Sequence, residues 1–305
     1  MERRTFIAGS ASALLASFAP QVAHTQPAGM LTRPVPSSGE NVPVIGMGTW
    51  ITFNVGNSEA LRQSRLEILR TFFELGGGVV DSSPMYGTAQ DVLGWCLQRL
   101  PANSSRNLVS ATKIWTPAGG NGPEQMADAR TLWGLPKIDI MQVHNLVDWQ
   151  DHLKAIREAR ERGLVRYTGV TTSHGSRHDR LAHIMQTEPL DFIQLTYNVL
   201  DRKPESRLLP MAADKGIGVI VNRPFQRGSL IDRLESEPLP GWAADYGIAN
   251  WPQFLLKFII SHPAVTCAIP ATSQVGHMRE NMAAMHGPMP DAATRRKMLD
   301  YVEAL

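Results

Sequence analysis

The feature that most constrains the fold is a repeated alternation of short strand-like runs and longer helix-like stretches after about residue 30. The strand-like runs are apolar, rich in β-branched residues, and begin at intervals of about 25 to 36 residues, with one longer gap before the last. Eight strands are predicted, over residues 42–50, 78–83, 107–113, 138–144, 167–173, 192–198, 219–223 and 266–270. Such alternation is typical of parallel βα units.

Apolar residues between these runs return at every third or fourth position, which is the spacing of one helix face. The predicted helices include residues 62–75, 151–161, 177–187 and 253–260, and a final outer helix over 291–305. Glycines stand where helices are expected to end, at Gly76, Gly163 and Gly216.

Eight βα units in roughly 275 residues predict an α/β fold, a (β/α)8 TIM barrel in one domain. An open doubly wound sheet is the alternative. The barrel is favoured because Gly46-Met47-Gly48 lacks the third glycine and the following helix of a dinucleotide-binding fingerprint. Residues 226–247, rich in proline and charge, are predicted to be an irregular insertion on the catalytic face.

Composition excludes some classes of function. Thirty basic and 28 acidic residues give a net charge of +2 without a basic stripe, so nucleic acid is not an expected partner. Cys96 and Cys267 lie far apart and have no metal-ligand spacing around them. We therefore expect no disulfide framework and no metal, and we expect both thiols to be small buried groups.

The first residues have the pattern of an export signal. Arg3-Arg4-Thr5-Phe6-Ile7 precedes a weakly apolar stretch over residues 8–19 and a polar segment over 21–29. This order predicts a twin-arginine signal peptide over residues 1–28, recognised by the twin-arginine export machinery, and a barrel over 29–305 in the periplasm. The apolar stretch is too short for a stable membrane span. A cytoplasmic enzyme with a frayed N-terminal helix is the alternative.

Polar side chains end three successive predicted strands. Asp81 ends the second strand and leads to Tyr86, while Lys113 ends the third and His144 ends the fourth. Each residue alone could serve as a cap, a solvated charge or packing. Because the carboxyl ends of barrel strands converge, the four together predict one catalytic site.

Motifs around these residues extend from Asn41 to Ala284. They are Val44-Ile45-Gly46-Met47-Gly48-Thr49-Trp50, Val80-Asp81-Ser82-Ser83 with Tyr86-Gly87, Ala111-Thr112-Lys113, Met141-Gln142-Val143-His144-Asn145, Phe192-Ile193-Gln194-Leu195, and Ile269-Pro270 with Glu280-Asn281. In these motifs the chain resembles the aldo/keto reductase family. The resemblance implies a catalytic tetrad of Asp81, Tyr86, Lys113 and His144 that reduces aldehydes or ketones with a nicotinamide cofactor.

The chemistry of carbonyl reduction agrees with these residue types. Hydride delivery leaves negative charge on oxygen, so a proton donor is needed, and Tyr86 can supply it. The pKa of free tyrosine is about 10, so we expect the charge of Lys113 to lower it. Asp81 would hold Lys113 in place, and His144 would orient the carbonyl.

The resemblance also implies a cofactor site. Gln194, Thr171 and Thr172 would bond the nicotinamide carboxamide, although the two threonines replace the family's usual polar pair. Arg223 stands in Asn222-Arg223-Pro224-Phe225, where the family commonly has an aromatic ring. Arg223 and Arg227 are assigned to the cofactor, Arg227 near the pyrophosphate, with a solvated arginine as its alternative.

The adenosine end is predicted at the last helix. Thr272 and Ser273 open that helix, and a helix N-terminus with hydroxyl side chains is suited to a 2′-phosphate. Glu280 and Asn281 match the family's adenine contacts, while His277 stands where many members have a larger cation. NADP is therefore the expected cofactor, with weakened selectivity, and NAD is the alternative.

The substrate is expected to be a small-molecule carbonyl. Trp50, Met85, Trp115 and Trp149 follow strand ends, and the first three are predicted to form an apolar pocket. Two other functions stay open. The protein could be a cofactor-binding redox sensor with little turnover, or a lyase or isomerase that uses Lys113 as a Schiff-base amine.

Overall fold

The structure, a computed structural model, describes residues 29–116 and 120–305. The predicted twin-arginine segment lies outside the described residues. The described part begins with a hairpin of β1 (Thr32–Pro34) and β2 (Asn41–Pro43). The later strands are β3 (Met47–Gly48), β4 (Val79–Asp81), β5 (Val109–Ile114), β6 (Ile138–Val143), β7 (Val165–Thr171), β8 (Phe192–Thr196), β9 (Gly218–Asn222) and β10 (Cys267–Ala268).

Strands β3 to β10 of the described chain form one parallel sheet in chain order. Its two edges meet, because Ile45 bridges Ala268 and Gly48 bridges Ala271. The N–H of Gly46 donates to the carbonyl of Ala268 at 2.8 Å across this junction. The sheet is thus closed, and the predicted (β/α)8 barrel is confirmed.

The first predicted strand, residues 42–50, is wrong as a single element. Asn41–Pro43 pairs with the hairpin, and Met47–Gly48 alone pairs with β4. Pro43 has no N–H to extend a ladder, which separates the two. A Cβ on Gly46 would lie 2.7 Å from the Val79 carbonyl oxygen, so this glycine allows close strand packing and serves no phosphate.

Helices cover the outside of the barrel and follow the predicted helical faces. They are α1 (Glu59–Glu74), α2 (Ala89–Leu97), α3 (Gly122–Trp133), α4 (Trp149–Glu161), α5 (His178–Thr187), α6 (Leu208–Lys215), α7 (Ser229–Leu234), α8 (Trp251–Ile260), α9 (Val275–Ala283) and α10 (Ala292–Glu303). The predicted glycine stops are confirmed, since Gly76, Gly163 and Gly216 have φ of 86°, 73° and 65°. Over the described ranges, no helix combines the length and the apolarity that crossing a bilayer requires.

The segment over residues 226–247 lies at the carboxyl ends of the strands, as predicted, but the prediction that it is irregular is wrong. The segment contains α7 and 3-10 turns over Gln226–Gly228 and Gly241–Tyr246. Leu230, Leu234 and Ala243 are buried under it. Two apolar residues four positions apart can anchor one short helix, but this pattern is too brief to stand out among proline and charge.

The barrel interior is filled by side chains from alternate strand positions, and the hairpin closes its lower end. Val35 and Val42 of the hairpin join an interior cluster that includes Ile140, Phe192 and Cys267. Burial of both thiols confirms the prediction for Cys96 and Cys267. The barrel is therefore a packed core, and its open end lies at the carboxyl ends of the strands.

We predict that Gly94→Ala destabilises the fold where α2 packs on α3. A Cβ at Gly94 would lie 1.9 Å from the carbonyl oxygen of Leu132, so the helices must separate. We expect urea denaturation to show a loss of about 3 kcal/mol in the free energy of unfolding.

Gly276→Ala in α9 is the matched control, because its Cβ would meet nothing within 4 Å. We expect it to raise the free energy of unfolding by about 0.5 kcal/mol. Equal effects of the two substitutions would contradict this account of the α2–α3 contact.

Candidate functional site

A buried ion pair joins the ends of β4 and β5. Lys113 Nζ lies 2.5 Å from Asp81 Oδ2 and donates to the carbonyl of Ser82 at 2.8 Å. The two charged side chains are 0 % and 2 % exposed. Burial is the largest single influence on the pKa of Lys113 and lowers it, but Asp81 and Tyr86 together raise it more, so the amine stays protonated.

Two glutamines hold the second oxygen of Asp81. Gln194 Nε2 donates to Asp81 Oδ1 at 2.9 Å, and Gln142 Nε2 does so at 3.3 Å. Gln194 Oε1 accepts from Thr171 Oγ1 at 3.0 Å and from Asn222 Nδ2 at 3.3 Å. Both ends of the Gln194 amide are thus bonded within the protein, and its assignment to the nicotinamide stays a prediction.

Tyr86 lies beside this pair. Lys113 Nζ is 4.9 Å from the centre of its ring, and the ring of His144 meets it edge-on at 5.7 Å. Burial raises the pKa of Tyr86, and the charge of Lys113 lowers it only in part. We expected Lys113 to bring this pKa down, but desolvation is the larger effect. The hydroxyl therefore keeps its proton at neutral pH.

His144 follows β6, and one of its ring nitrogens is hydrogen-bonded to a serine. Its Nδ1 lies 2.8 Å from the Ser83 hydroxyl, which already accepts the N–H of Met85 at 3.2 Å. If the serine donates its proton to Nδ1, the neutral ring carries its own proton on Nε2. Burial, followed by the charges of Lys113 and Arg177, lowers the pKa of His144 to about 2. The ring is a neutral donor.

A cavity of about 520 Å³ opens over these groups. It is lined by residues that follow β3, β4, β6, β7, β9 and β10, together with residues of α7 and α9. The predicted site residues that line it are Trp50, Asp81, Met85, Tyr86, His144, Thr171, Gln194, Arg223, Arg227, Thr272, His277, Glu280 and Asn281. Lys113 lies beneath it, bonded to Asp81.

Besides Lys113, three predicted residues do not line this cavity. Thr172 is buried, and its hydroxyl bonds the backbone of His174. Ser273 is exposed beyond the cavity wall. The backbone of Trp115 is paired with the side chain of Gln125, which directs this segment along α3. Thr172 and Trp115 were assigned because they follow strand ends, and Ser273 because it was expected to open the last helix. Loop conformation, however, decides which of these residues face the cavity.

The loop after β9 has unusual backbone geometry. Arg223, Gln226 and Arg227 all have positive φ, at 50°, 47° and 64°. The Arg227 guanidinium lies 4.5 Å from the centre of the Trp50 ring, across the cavity mouth. Loop residues other than glycine that are held at positive φ are associated with functional sites.

Sequence reasoning did not assign roles to Ser83, Asn145 and His174. Ser83 holds His144, while Asn145 and His174 line the cavity. The signal for Ser83 was its place two residues after Asp81, which puts it on the same side of an extended chain. Asn145 and His174 lie in irregular turns, where no periodicity applies.

Comparisons with known proteins place this geometry in a family. The family model described as "Aldo/keto reductase family" matches residues 44–296. An NADH-specific methylglyoxal reductase of Escherichia coli is 23% identical, over 85% of this chain and 95% of that protein. A second methylglyoxal reductase of Escherichia coli is 24% identical, over 86% and 93%. The structure of an aldo-keto reductase from Klebsiella pneumoniae in complex with NADPH superposes with a TM-score of 0.74 at 23% identity, over 90% and 95% of the two chains.

We predict that the Lys113–Asp81 pair is strongly coupled in stability. Lys113→Met leaves a carboxylate buried without its cation and should cost about 3–5 kcal/mol in the free energy of unfolding. The double substitution Asp81→Asn and Lys113→Met should recover most of this loss, because no buried charge remains. Urea denaturation of the three variants measures the coupling, and additive losses would contradict it.

We also predict that folded His144 stays neutral, with its proton on Nε2, from pH 8 to pH 5. The unfolded side chain takes up a proton near pH 6.5, while the folded pKa is about 2. Its contribution to stability is therefore present above pH 6.5 and lost as the pH falls toward 2. Nitrogen-15 NMR of the imidazole, assigned with His144→Asn, measures the tautomer. A protonated ring at pH 5 would contradict the prediction.

Proposed function

The chain belongs to the aldo/keto reductase family, and from this we propose that it reduces aldehydes or ketones to alcohols, with Tyr86 as proton donor. The observation that carries the proposal is the convergence of a protonated tyrosine, a neutral histidine and a buried Lys113–Asp81 pair at one end of a single cavity. The methylglyoxal reductases among its relatives support a carbonyl substrate.

The other end of the cavity suits a nicotinamide dinucleotide. Asn281 is 2 % exposed and lines the cavity, yet its side-chain amide makes no hydrogen bond among the described residues. An amide that faces a cavity from a largely buried residue can donate to a ligand there and accept from it. Thr272, His277 and Glu280 lie on the same wall. The NADPH complex of a structural neighbour supports this cofactor class.

Residues of this chain would hold the cofactor along the cavity. Asn281 and Glu280 would contact the adenine, and Thr272 with His277 would contact the 2′-phosphate. Arg227 would contact the pyrophosphate, and Thr171 would contact the nicotinamide end. We propose NADP as the preferred cofactor, because Thr272 and His277 can contact the 2′-phosphate. NAD is the alternative, because His277 stands where many members of the family have a larger cation. When bound, the reduced cofactor supplies the hydride.

The chain's own residues handle the oxygen of the substrate. His144 Nε2–H donates to the carbonyl oxygen, which orients and polarises it. The Tyr86 hydroxyl donates its proton to that oxygen as negative charge develops there. Lys113 stabilises the phenolate that remains, and Asp81, held by Gln194, keeps Lys113 in position. The negative charge that develops on the substrate oxygen is thus transferred to Tyr86, beside the Lys113–Asp81 pair.

Use of Lys113 as a Schiff-base amine is disfavoured. Its Nζ donates to Asp81 and to the carbonyl of Ser82, and its raised pKa keeps it protonated. A nucleophilic amine must be neutral and accessible. The site therefore supports proton transfer rather than covalent catalysis.

A cofactor-binding redox sensor is the second candidate. Asn222 is the last residue of β9 and begins the stretch in which the family commonly has an aromatic ring. Its side-chain amide donates to the Thr172 carbonyl and to Gln194 Oε1. Loss of a stacking ring would remove one contact that positions the nicotinamide for hydride transfer, and slow turnover would suit a sensor. We further propose export to the periplasm by the twin-arginine route, which carries folded proteins and would allow the cofactor to leave bound.

We predict that Tyr86→Phe lowers kcat/KM for methylglyoxal by at least ~100-fold, because the proton donor is lost. The dissociation constants of NADPH and NADH, measured by fluorescence quenching, should change little. Tyr301→Phe in α10 is the matched control, since its hydroxyl bonds the carbonyl of Pro238 outside the cavity.

Full activity of Tyr86→Phe would overturn the assignment of the proton donor. Cofactor binding by the wild-type protein without turnover of any carbonyl would favour the sensor. Absence of binding to either cofactor would reject both functions.

A further inference from the structure

Arg223 lines the cavity and carries a charge that no described residue pairs with. It directly follows β9 and lines the cavity, with its side chain half-buried. Its guanidinium makes no hydrogen bond or ion pair with any described residue. A guanidinium has five donors in a rigid planar fork, and such a group is suited to a carboxylate or a phosphate.

The backbone holds Arg223 in place from the other side. Its φ is 50°, in the left-handed region that few residues other than glycine adopt. Its carbonyl accepts from Asn198 Nδ2 and from the N–H of Gln226, both at 3.1 Å. The direction in which the side chain leaves the loop is therefore fixed.

The neighbouring carboxylate is already occupied. Asp201 Oδ2 accepts from Asn198 Nδ2 at 2.8 Å and from Gln226 Nε2 at 2.8 Å. It holds the loop and makes no bond to Arg223. The Arg223 donors are thus left for a ligand, although desolvation of this group is a cost that a bound anion would offset.

Arg223 lies near the reacting end of the cavity. Its charge lowers the pKa of Tyr86, against the larger effect of burial, and it also lowers the pKa of His174, after burial. These effects require the guanidinium to lie within electrostatic reach of both rings. All three residues line one cavity.

His174 adds a second donor on this wall. Its Nδ1 accepts from Arg177 at 3.2 Å and lies 3.0 Å from the Ser173 hydroxyl. With Nδ1 engaged as an acceptor, the neutral ring carries its proton on Nε2. The loops after β7 and β9 therefore bring the guanidinium donors of Arg223 and one neutral imidazole donor to the lining of the cavity that also contains Tyr86.

We propose that Arg223 and His174 bind the carboxylate of the substrate, so that the enzyme acts on compounds whose carbonyl carbon is bonded directly to a carboxylate, the 2-oxo acids. This inference rests on the proposed function and names its substrate class. Arg223 is then a specificity-determining residue.

The place of Arg223 favours the substrate over the phosphates of the cofactor. Thr272, His277 and Asn281, the residues assigned to the adenosine end, follow β10 and lie on or before α9. Arg227, the other arginine of the β9 loop, points across the mouth to Trp50. Both arginines lower the pKa of His174, but of the two only Arg223 acts on the pKa of Tyr86, beside which the carbonyl must lie.

The reaction balances without a further reagent. The carbonyl carbon gains a hydride from the reduced cofactor, and the carbonyl oxygen gains the proton of Tyr86. The C=O double bond becomes a C–O single bond with new C–H and O–H bonds, and the cofactor is oxidised. The carboxylate is unchanged, so the product is a hydroxy acid.

The test compares two aldehydes of similar shape and different charge. Glyoxylate carries a carboxylate where methylglyoxal carries an acetyl group. We expect kcat/KM with NADPH to be higher for glyoxylate. Arg223→Met, which keeps an unbranched stem and removes the charge, should lower the glyoxylate-to-methylglyoxal ratio of kcat/KM by about 30-fold. Arg223→Lys should lower it less.

Arg296→Met is the matched control, because Arg296 is exposed on α10, outside the cavity. It makes the same chemical change and should leave the ratio unaltered. NADPH affinity, measured by fluorescence quenching, should be similar in the wild type and Arg223→Met.

The remaining outcomes either contradict the inference or distinguish its failure from failure of the proposed function. Weaker NADPH binding in Arg223→Met, with equal losses for both aldehydes, would assign Arg223 to the cofactor and overturn the inference. Preference of the wild type for methylglyoxal would also overturn it.

Absence of turnover with both aldehydes would count against the reductase, and binding would then decide on the carboxylate site. The probe is glycolate, with hydroxyacetone as its neutral counterpart, added to the NADP-bound protein in a thermal denaturation experiment. A rise in Tm with glycolate alone, lost in Arg223→Met, would support the site. Equal responses to both compounds would reject it.

Discussion

The site depends on one buried ion pair, between Lys113 and Asp81. Two opposite charges removed from water are stable only if their remaining hydrogen bonds are satisfied, and here Ser82, Gln142 and Gln194 satisfy them. These partners come from β4, β6 and β8. With Lys113 in β5, the network therefore ties together the carboxyl ends of β4, β5, β6 and β8 and places Tyr86 beside a positive charge.

The same network explains why the titratable groups of the cavity hold single protonation states. Burial raises the pKa of Tyr86, and burial with nearby cations lowers the pKa of His144. Both rings are consequently neutral donors at physiological pH, which is the state that carbonyl reduction requires of them. Ser83 fixes the orientation of one ring, and the lysine charge stabilises the anion that the other would leave.

The fold was predictable because its signals are local. Alternating strand and helix periodicities, with glycine at helix ends, indicated the barrel, and the order of strand ends brought Asp81, Lys113 and His144 together. Elements without a sustained period were not predictable. The hairpin that closes the barrel and the short helix α7 each contain too few residues for a pattern, and tertiary contacts decide their conformation.

The barrel, the family and the convergence of Asp81, Lys113 and His144 followed from the sequence, because strand ends in a closed parallel sheet must converge. Tertiary structure alone decided which loop residues face the cavity. Gln194 donates to Asp81, and Thr172 and Ser273 do not line the cavity. Arg223 lines it without a hydrogen-bond partner among the described residues. These outcomes depend on loop dihedral angles and on which donors and acceptors meet across the barrel, and neither is encoded in the spacing of residues along the chain.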